Sequence, residues 1–230
     1  MKRSDMNTLI FDWDGTLADS INNIVTAMQR AAVDVGLPAR SVREVRDIIG
    51  LALPDAVAVL YPELDEPLLA RRLIEAYADN YLALEREPSP LFEGVHVALE
   101  ALRAQGFRLA VATGKGRRGL DRMLASHDLE NYFDVTRCAD ETAGKPNPRM
   151  IEEILDELCV TPADACMVGD SEFDIMMGHN AGVRPVAVTY GAMTHEQLLR
   201  CRPVHCVDSF DEFHGWVLPQ FRTSQMIEVQ

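Results

Sequence analysis

Asp12 and Asp14 flank Trp13 at the end of the apolar run Thr8-Leu9-Ile10-Phe11, and Gly15-Thr16-Leu17 follow. Carboxylates this close repel, and without a partner one of them takes up a proton. A divalent cation removes that conflict, and hard oxygen donors suit Mg2+. A second apolar run, residues 107–112, ends in Thr113-Gly114-Lys115. A hydroxyl and a free backbone N–H at a strand–helix junction can hold an oxyanion. Further on stands Gly144-Lys145-Pro146. A lysine before proline is held extended, which can aim its ammonium back at the strand ends. The last group is Met167-Val168-Gly169-Asp170-Ser171-Glu172-Phe173-Asp174. Asp170 and Asp174 are one helical turn apart and can face one point.

Two further features single out cations. The 22 basic residues comprise 19 arginines and only Lys2, Lys115 and Lys145. Two interior lysines in an arginine-rich chain point to sites that need a compact charge rather than a planar fork. Arg117 and Arg118 open a helix, where the macrodipole disfavours cations. Their presence points to an anion nearby, either a substrate or Asp/Glu partners.

These groups need elements to position them. Residues 8–11 read as a buried parallel strand. Apolar residues recur at helical spacing from Ser20 to Val35, and Gly36-Leu37-Pro38 ends that helix. Ser41 with Glu44 is a capping box and starts another. Residues 55–60 form a short helix and 66–85 a longer one, before Pro88 and Pro90 mark a linker. Helix and strand then alternate: helix 94–105, strand 107–112, helix 117–126, weak strand 134–138, helix 147–158, strand 164–168, helix 172–181, strand 184–189. A short strand and helix finish the chain. Alternation of this kind predicts an α/β fold, a parallel sheet with helices on both faces. Ligands in such sheets bind outside the carboxyl ends of the strands, where all four groups stand. The helical stretch is inserted after the first strand, so residues 1–18 and 89–230 form the core domain and 19–88 an all-helical cap.

The net charge of −14 argues against nucleic acid and anionic membrane surfaces as partners. No apolar run approaches the ~20 residues of a membrane span. The charged start Met1-Lys2-Arg3-Ser4-Asp5 and the interruption at Asp12 and Asp14 leave no signal-peptide core, so the expectation is a cytoplasmic protein. Cysteines 138, 159, 166, 201 and 206 form no C-x-x-C pair and read as reduced thiols. Cys201, His205 and Cys206 lack the four regular ligands of structural zinc.

In order, Asp12/Asp14, Thr113, Lys145 and Asp170/Asp174 resemble the four motifs of the haloacid dehalogenase superfamily of phosphatases. The insert resembles that family's type-1 cap. Asp14-Gly15-Thr16-Leu17-Ala18-Asp19-Ser20, Gly144-Lys145-Pro146 and the stretch from Gly169 to Gly182 are most similar to its phosphoglycolate-phosphatase-like branch. The resemblance implies a Rossmann-like core and a Mg2+-dependent phosphomonoesterase acting on a small phosphorylated metabolite, as a monomer or homodimer. It implies that Asp12 attacks phosphorus to form an aspartyl-phosphate and that Asp14 serves as acid and then base. Mg2+ would be held by Asp12, the Asp14 backbone carbonyl and Asp170, with Asp174 acting through water or behind the ligands. Thr113, Gly114 and Lys145 would bind the phosphoryl oxygens. Arg46, Gly50, Leu51 and Lys115 are the candidate substrate contacts. Asp14 argues against carbon–halogen chemistry, since the family's dehalogenases lack that acid. A sugar phosphomutase of the beta-phosphoglucomutase type shares the same motifs, and phosphate release without isomerisation separates the two. A phosphonoacetaldehyde hydrolase would need a cap lysine, and residues 18–90 contain none. A non-catalytic binding or regulatory module on this fold should have lost one of the acids or the lysine.

Overall fold

The computed structural model describes residues 7–220; Lys2 and the charged N-terminal segment lie outside them. Six parallel strands form one sheet: β1 Thr8–Phe11, β2 Arg108–Thr113, β3 Val135–Cys138, β4 Ala165–Gly169, β5 Arg184–Val188 and β6 His205–Val207. Their order is β3-β2-β1-β4-β5-β6, so the direction of winding reverses at β1. That reversal opens a crevice at the carboxyl end of β1. Register fills it. Phe11 pairs with Val111 on one side and Val168 on the other, which sets Asp12 beside the ends of both neighbours.

The sheet is covered on both faces, and the period of two along each strand divides the core. Leu9, Phe11, Leu109, Val111 and Val168 pack with α5 (Val95–Ala104), α6 (Arg117–Ser126) and α10 (Phe210–Val217). Ile10, Ala110, Ala112 and Met167 face the other way, against α7 (Arg149–Leu158) and α8 (Glu172–Asn180). Strand β3 has the weakest sequence signal because it is an edge, with Thr136 and Arg137 only half-buried. One α-helix among the described residues escapes the sequence reading: α9 (His195–Arg200), which Thr194 and Gln197 open with a capping box.

Between β1 and α5 lie four helices: α1 Ile21–Asp34, α2 Val42–Arg46, α3 Leu53–Leu60 and α4 Pro67–Leu84. The expected Ser41–Glu44 capping box is present at α2. These helices bury an apolar cluster of their own, including Ile24, Val25, Met28, Val57, Leu73 and Tyr81. The chain enters and leaves this module side by side: Asp19 N–H donates to Pro90 C=O at 2.8 Å and Phe92 N–H to Leu17 C=O at 3.0 Å. No helix among the described residues is long and apolar enough to cross a membrane.

Candidate active site

After β1 the chain curls into a tight loop in which Trp13 C=O accepts from Leu17 N–H at 2.9 Å and Ala18 N–H at 3.0 Å. Gly15 makes the curl possible. Its φ is +83°, and a Cβ there would lie 2.1 Å from Asp170 Oδ2. Trp13 is fully buried beneath the loop, its ring 6.4 Å from that of Phe133 and 6.5 Å from that of His127. It packs the loop from below and is not a wall of the site.

Asp12 sits at the bottom of the crevice. Its carboxylate is 2.6 Å from the Lys145 ammonium, which is also 2.7 Å from Asp174 Oδ1. Asp174 Oδ2 accepts from Ser171 N–H at 3.1 Å and Ser171 Oγ–H at 2.6 Å, a capping box that pins the acid to the first turn of α8. Asp170 is gripped from two sides, by Thr16 Oγ–H at 3.0 Å and Ala192 N–H at 2.6 Å. Carboxylate oxygens of Asp12, Asp170 and Asp174 lie within 4.8 Å of one another, all buried.

Three ionised carboxylates against one ammonium leave a net charge of minus two in a buried place. Burial pushes Asp12 well above the usual carboxylate range; Lys145 opposes that, and Asp174 and Asp170 add to it. Burial and then the Asp174 charge push Asp170 up to about 7. Burial works against the Lys145 ammonium, but Asp12 and Asp174 outweigh it and hold the group above its ordinary value. Neither Asp12 oxygen accepts an aligned hydrogen bond, although one faces Lys145 at ion-pair distance. Clustered hard oxygens, an orphaned buried carboxylate and a double negative charge fit a small divalent cation.

Asp14 is not part of that trio. Its Oδ1 accepts from Ser20 Oγ–H at 2.7 Å, and its Oδ2 lies 3.1 Å from the Lys115 ammonium. Lys115 also donates to the Tyr81 hydroxyl at 3.3 Å and lies 4.6 Å over the Tyr81 ring. Burial opposes its charge, but Asp14, Tyr77 and Glu85 together outweigh burial and raise it. The two interior lysines therefore divide the acids between them. Thr113 is buried at the end of β2, and its Oγ accepts from Lys115 N–H at 3.2 Å, which leaves its O–H free to donate.

The helical module closes over these loops. A Cβ on Gly114 would lie 2.5 Å from Gly50 C=O and 2.6 Å from Leu51 C=O. One on Gly50, where φ is +108°, would lie 2.7 Å from Ser171 Oγ. Gly114, which the sequence offers only as a backbone donor, is thus the seat of the loop between α2 and α3. A chamber of about 360 Å³ remains between module and sheet. Asp12, Asp14, Thr113, Gly114 and Lys115 line one end, and Gly50 and Leu51 line it too. Lys145, Asp170 and Asp174 lie beneath it, behind Asp12.

Arg46 stands apart from the other candidate substrate contacts. It does not line the chamber; its guanidinium donates to Gly191 C=O at 2.7 Å and Ala192 C=O at 3.1 Å. Two main-chain carbonyls on the core engage its charge. Arg117 likewise turns to protein anions: Glu141 at 2.8 and 2.7 Å, and Asp121 at 3.2 Å. Arg118 does line the chamber. Sequence reasoning passed over Thr16, Ser20, Ser171, Tyr81 and the Ala192 N–H. The Ser171–Asp174 spacing is a readable capping signature. The Ala192 amide, being backbone, leaves no signature.

The haloacid dehalogenase-like hydrolase family profile matches residues 9–188. The chain is 36% identical over 214 residues to the "Probable phosphatase IndB" of Dickeya dadantii (strain 3937), covering 90% of this chain and 91% of that one. It is 31% identical over 227 residues to a phosphoglycolate phosphatase of Vibrio vulnificus (strain YJ016), covering 95% and 99%. A solved structure described as a predicted phosphatase from Clostridium acetobutylicum superposes with a TM-score of 0.84 at 26% identity, over 94% of this chain and all of the other. With a profile match spanning most of the sheet and relatives covering nearly its whole length, this chain belongs to the haloacid dehalogenase-like hydrolases.

Proposed function

We propose that this protein hydrolyses phosphomonoesters, with Asp12 as nucleophile, and that the module at residues 19–88 is the cap that covers the reaction. The observation that carries the reading is the state of Asp12. Its carboxylate lies at the floor of a covered chamber, holds no aligned hydrogen bond, and faces a buried ammonium at 2.6 Å. An oxygen of Asp12 attacks phosphorus, the bond from phosphorus to the ester oxygen breaks, and Asp14 gives a proton to that oxygen. Asp14 then takes a proton from water as the water attacks the aspartyl-phosphate, which releases phosphate and restores Asp12.

Thr113 O–H and Gly114 N–H are placed at the chamber end to meet phosphoryl oxygens, and donors of this kind supply roughly 3–4 kcal/mol in a transition state. Lys145 meets the phosphoryl group from below while holding Asp12 and Asp174 in place. Mg2+ would be held by Asp12, Asp170 and the Asp14 carbonyl, with Asp174 behind them. When bound, the ion neutralises the phosphoryl charge and that of the acid cluster. The cap excludes water during the first step, and its paired connections at Leu17–Asp19 and Pro90–Phe92 are the hinge.

The substrate is a small phosphorylated metabolite; the names of several relatives support phosphoglycolate as the first compound to test. All five cysteines are free thiols, which suits a reducing cytoplasm. The test is Mg2+-dependent phosphate release from para-nitrophenyl phosphate, with mass spectrometry of the acid-quenched protein. Phosphate release that is lost in Asp12→Asn, and a phosphorylated Asp12 trapped in Asp14→Asn, are the expected results. A wild-type protein inert on a broad phosphomonoester panel would sink the reading.

A further inference from the structure

The chamber is roomier and less polar than a two-carbon acid requires. Its volume of about 360 Å³ equals that of roughly a dozen water molecules in the liquid. Away from Asp12, Asp14 and Thr113 much of its wall is apolar, formed by Ile24, Met28, Ile49, Leu51, Tyr77 and Leu82, and Tyr81 and Asp140 also line it. Most of its cations are already engaged, Lys115 by Asp14 and Arg122 by Glu85 at 3.3 Å. Among the described residues, no serine, asparagine, glutamine or histidine lines it, and its one threonine is Thr113 at the phosphate end. A sugar must pair each hydroxyl it buries, and a wall that is mostly apolar leaves some of them unpaired at a cost in binding.

We infer that the preferred substrate is a phosphomonoester whose leaving group is an apolar alkyl or aryl body, seated between the α1–α2 side of the cap and Tyr77, rather than a sugar or a two-carbon acid. This rests on the phosphomonoesterase reading and narrows it. Tyr77 stacks on Tyr81 with ring centroids 5.7 Å apart and an interplanar angle of 23°, which holds it as a flat wall. Arg118, exposed at the rim and without an ion pair or hydrogen bond from its side chain among the described residues, is the group that a short anionic leaving group would have to reach.

The test is kcat/KM at saturating Mg2+ for ethyl, butyl and hexyl phosphate, beside 2-phosphoglycolate and glucose 6-phosphate. The alkyl series holds leaving-group basicity constant, so it isolates burial. Each buried methylene should raise kcat/KM about fourfold, so butyl should exceed ethyl by roughly fifteenfold on the same basis. Leu51→Ser should flatten the series. A flat or falling wild-type series overturns the inference, as does a preference for phosphoglycolate or glucose 6-phosphate over every alkyl ester. If no ester is turned over and no phospho-Asp12 is trapped, the phosphatase reading itself fails instead.

Discussion

Gly114→Ala tests whether the observed seat of the cap is the catalytic arrangement. Gly114 is not at positive φ, so alanine costs nothing in backbone strain there. The effect is steric alone. The added Cβ would lie 2.5 Å from Gly50 C=O and 2.6 Å from Leu51 C=O, whereas ordinary contact begins at 3.4 Å. Both obstacles are main chain, so no side chain can swing away. The cap loop must withdraw by about 1 Å, and a misplacement of that size costs on the order of 100-fold in rate. Gly50 also sits against Ser171, so withdrawal loosens a second contact. The expected result is a kcat/KM near 1% of wild type on para-nitrophenyl phosphate, or about 2.7 kcal/mol of transition-state stabilisation. The melting temperature should stay within a few degrees, because the clash lies between cap and core. Two glycines calibrate it. At Gly144 a Cβ would stand 3.1 Å from Asp55 Oδ2 and 3.2 Å from Ala52 Cβ, so Gly144→Ala should lose only a few-fold. At Gly36 the φ is +81° and nothing lies within 4 Å, so Gly36→Ala should cost stability, about 1–2 kcal/mol, and leave kcat/KM intact. A Gly114→Ala enzyme within threefold of wild type would refute the reasoning, as would a rate loss matched by Gly36→Ala.

Arg46→Met keeps the aliphatic stem but frees the carbonyls of Gly191 and Ala192, whose neighbouring amide grips Asp170. Support of this kind is worth 10–100-fold in metal affinity; calorimetric titration with Mn2+ in the absence of substrate should show at least a tenfold weakening, and an unchanged affinity refutes the link. Lys145→Met strands Asp12 and Asp174 without their common cation; removing one partner of a buried pair costs roughly 3–5 kcal/mol, so urea unfolding of the metal-free variant should shift by that much. Asp170 has its folded-state pKa raised from 3.8 to about 7, so between these values the folded state binds more protons than the unfolded chain. Stability of the metal-free protein should then fall as pH rises from about 4 to about 7, the penalty being complete above the folded value. Thermal scans should show that fall, and saturating Mg2+ should largely abolish it; a melting temperature that rises across the same window contradicts the assignment.

The residues of the candidate site are legible because a parallel sheet gathers its strand ends in one place. Asp12, Thr113 and Asp170 needed only a correct reading of strand and turn, since register and winding order bring those ends together. The contacts of Arg46 are not legible, for the opposite reason. Its direction is set by a loop far along the chain, and nothing in its helix announces that Gly191 and Ala192 await it. The arginine bias was the better guide. Lys145 stands between two carboxylates at 2.6 and 2.7 Å, fully buried, where a point charge fits and a guanidinium fork would need more room and more acceptors. Lys115 does the same for Asp14 and the Tyr81 hydroxyl. Each lysine is thereby tied to one acid of the first motif, and the structure separates what the sequence presents as one pair. Asp12 belongs to the buried cluster that calls for a cation. Asp14 belongs to the chamber, where the proposed mechanism puts the leaving group. That division suits the proposed mechanism, in which two carboxylates two residues apart take different roles, one attacking phosphorus and the other moving a proton.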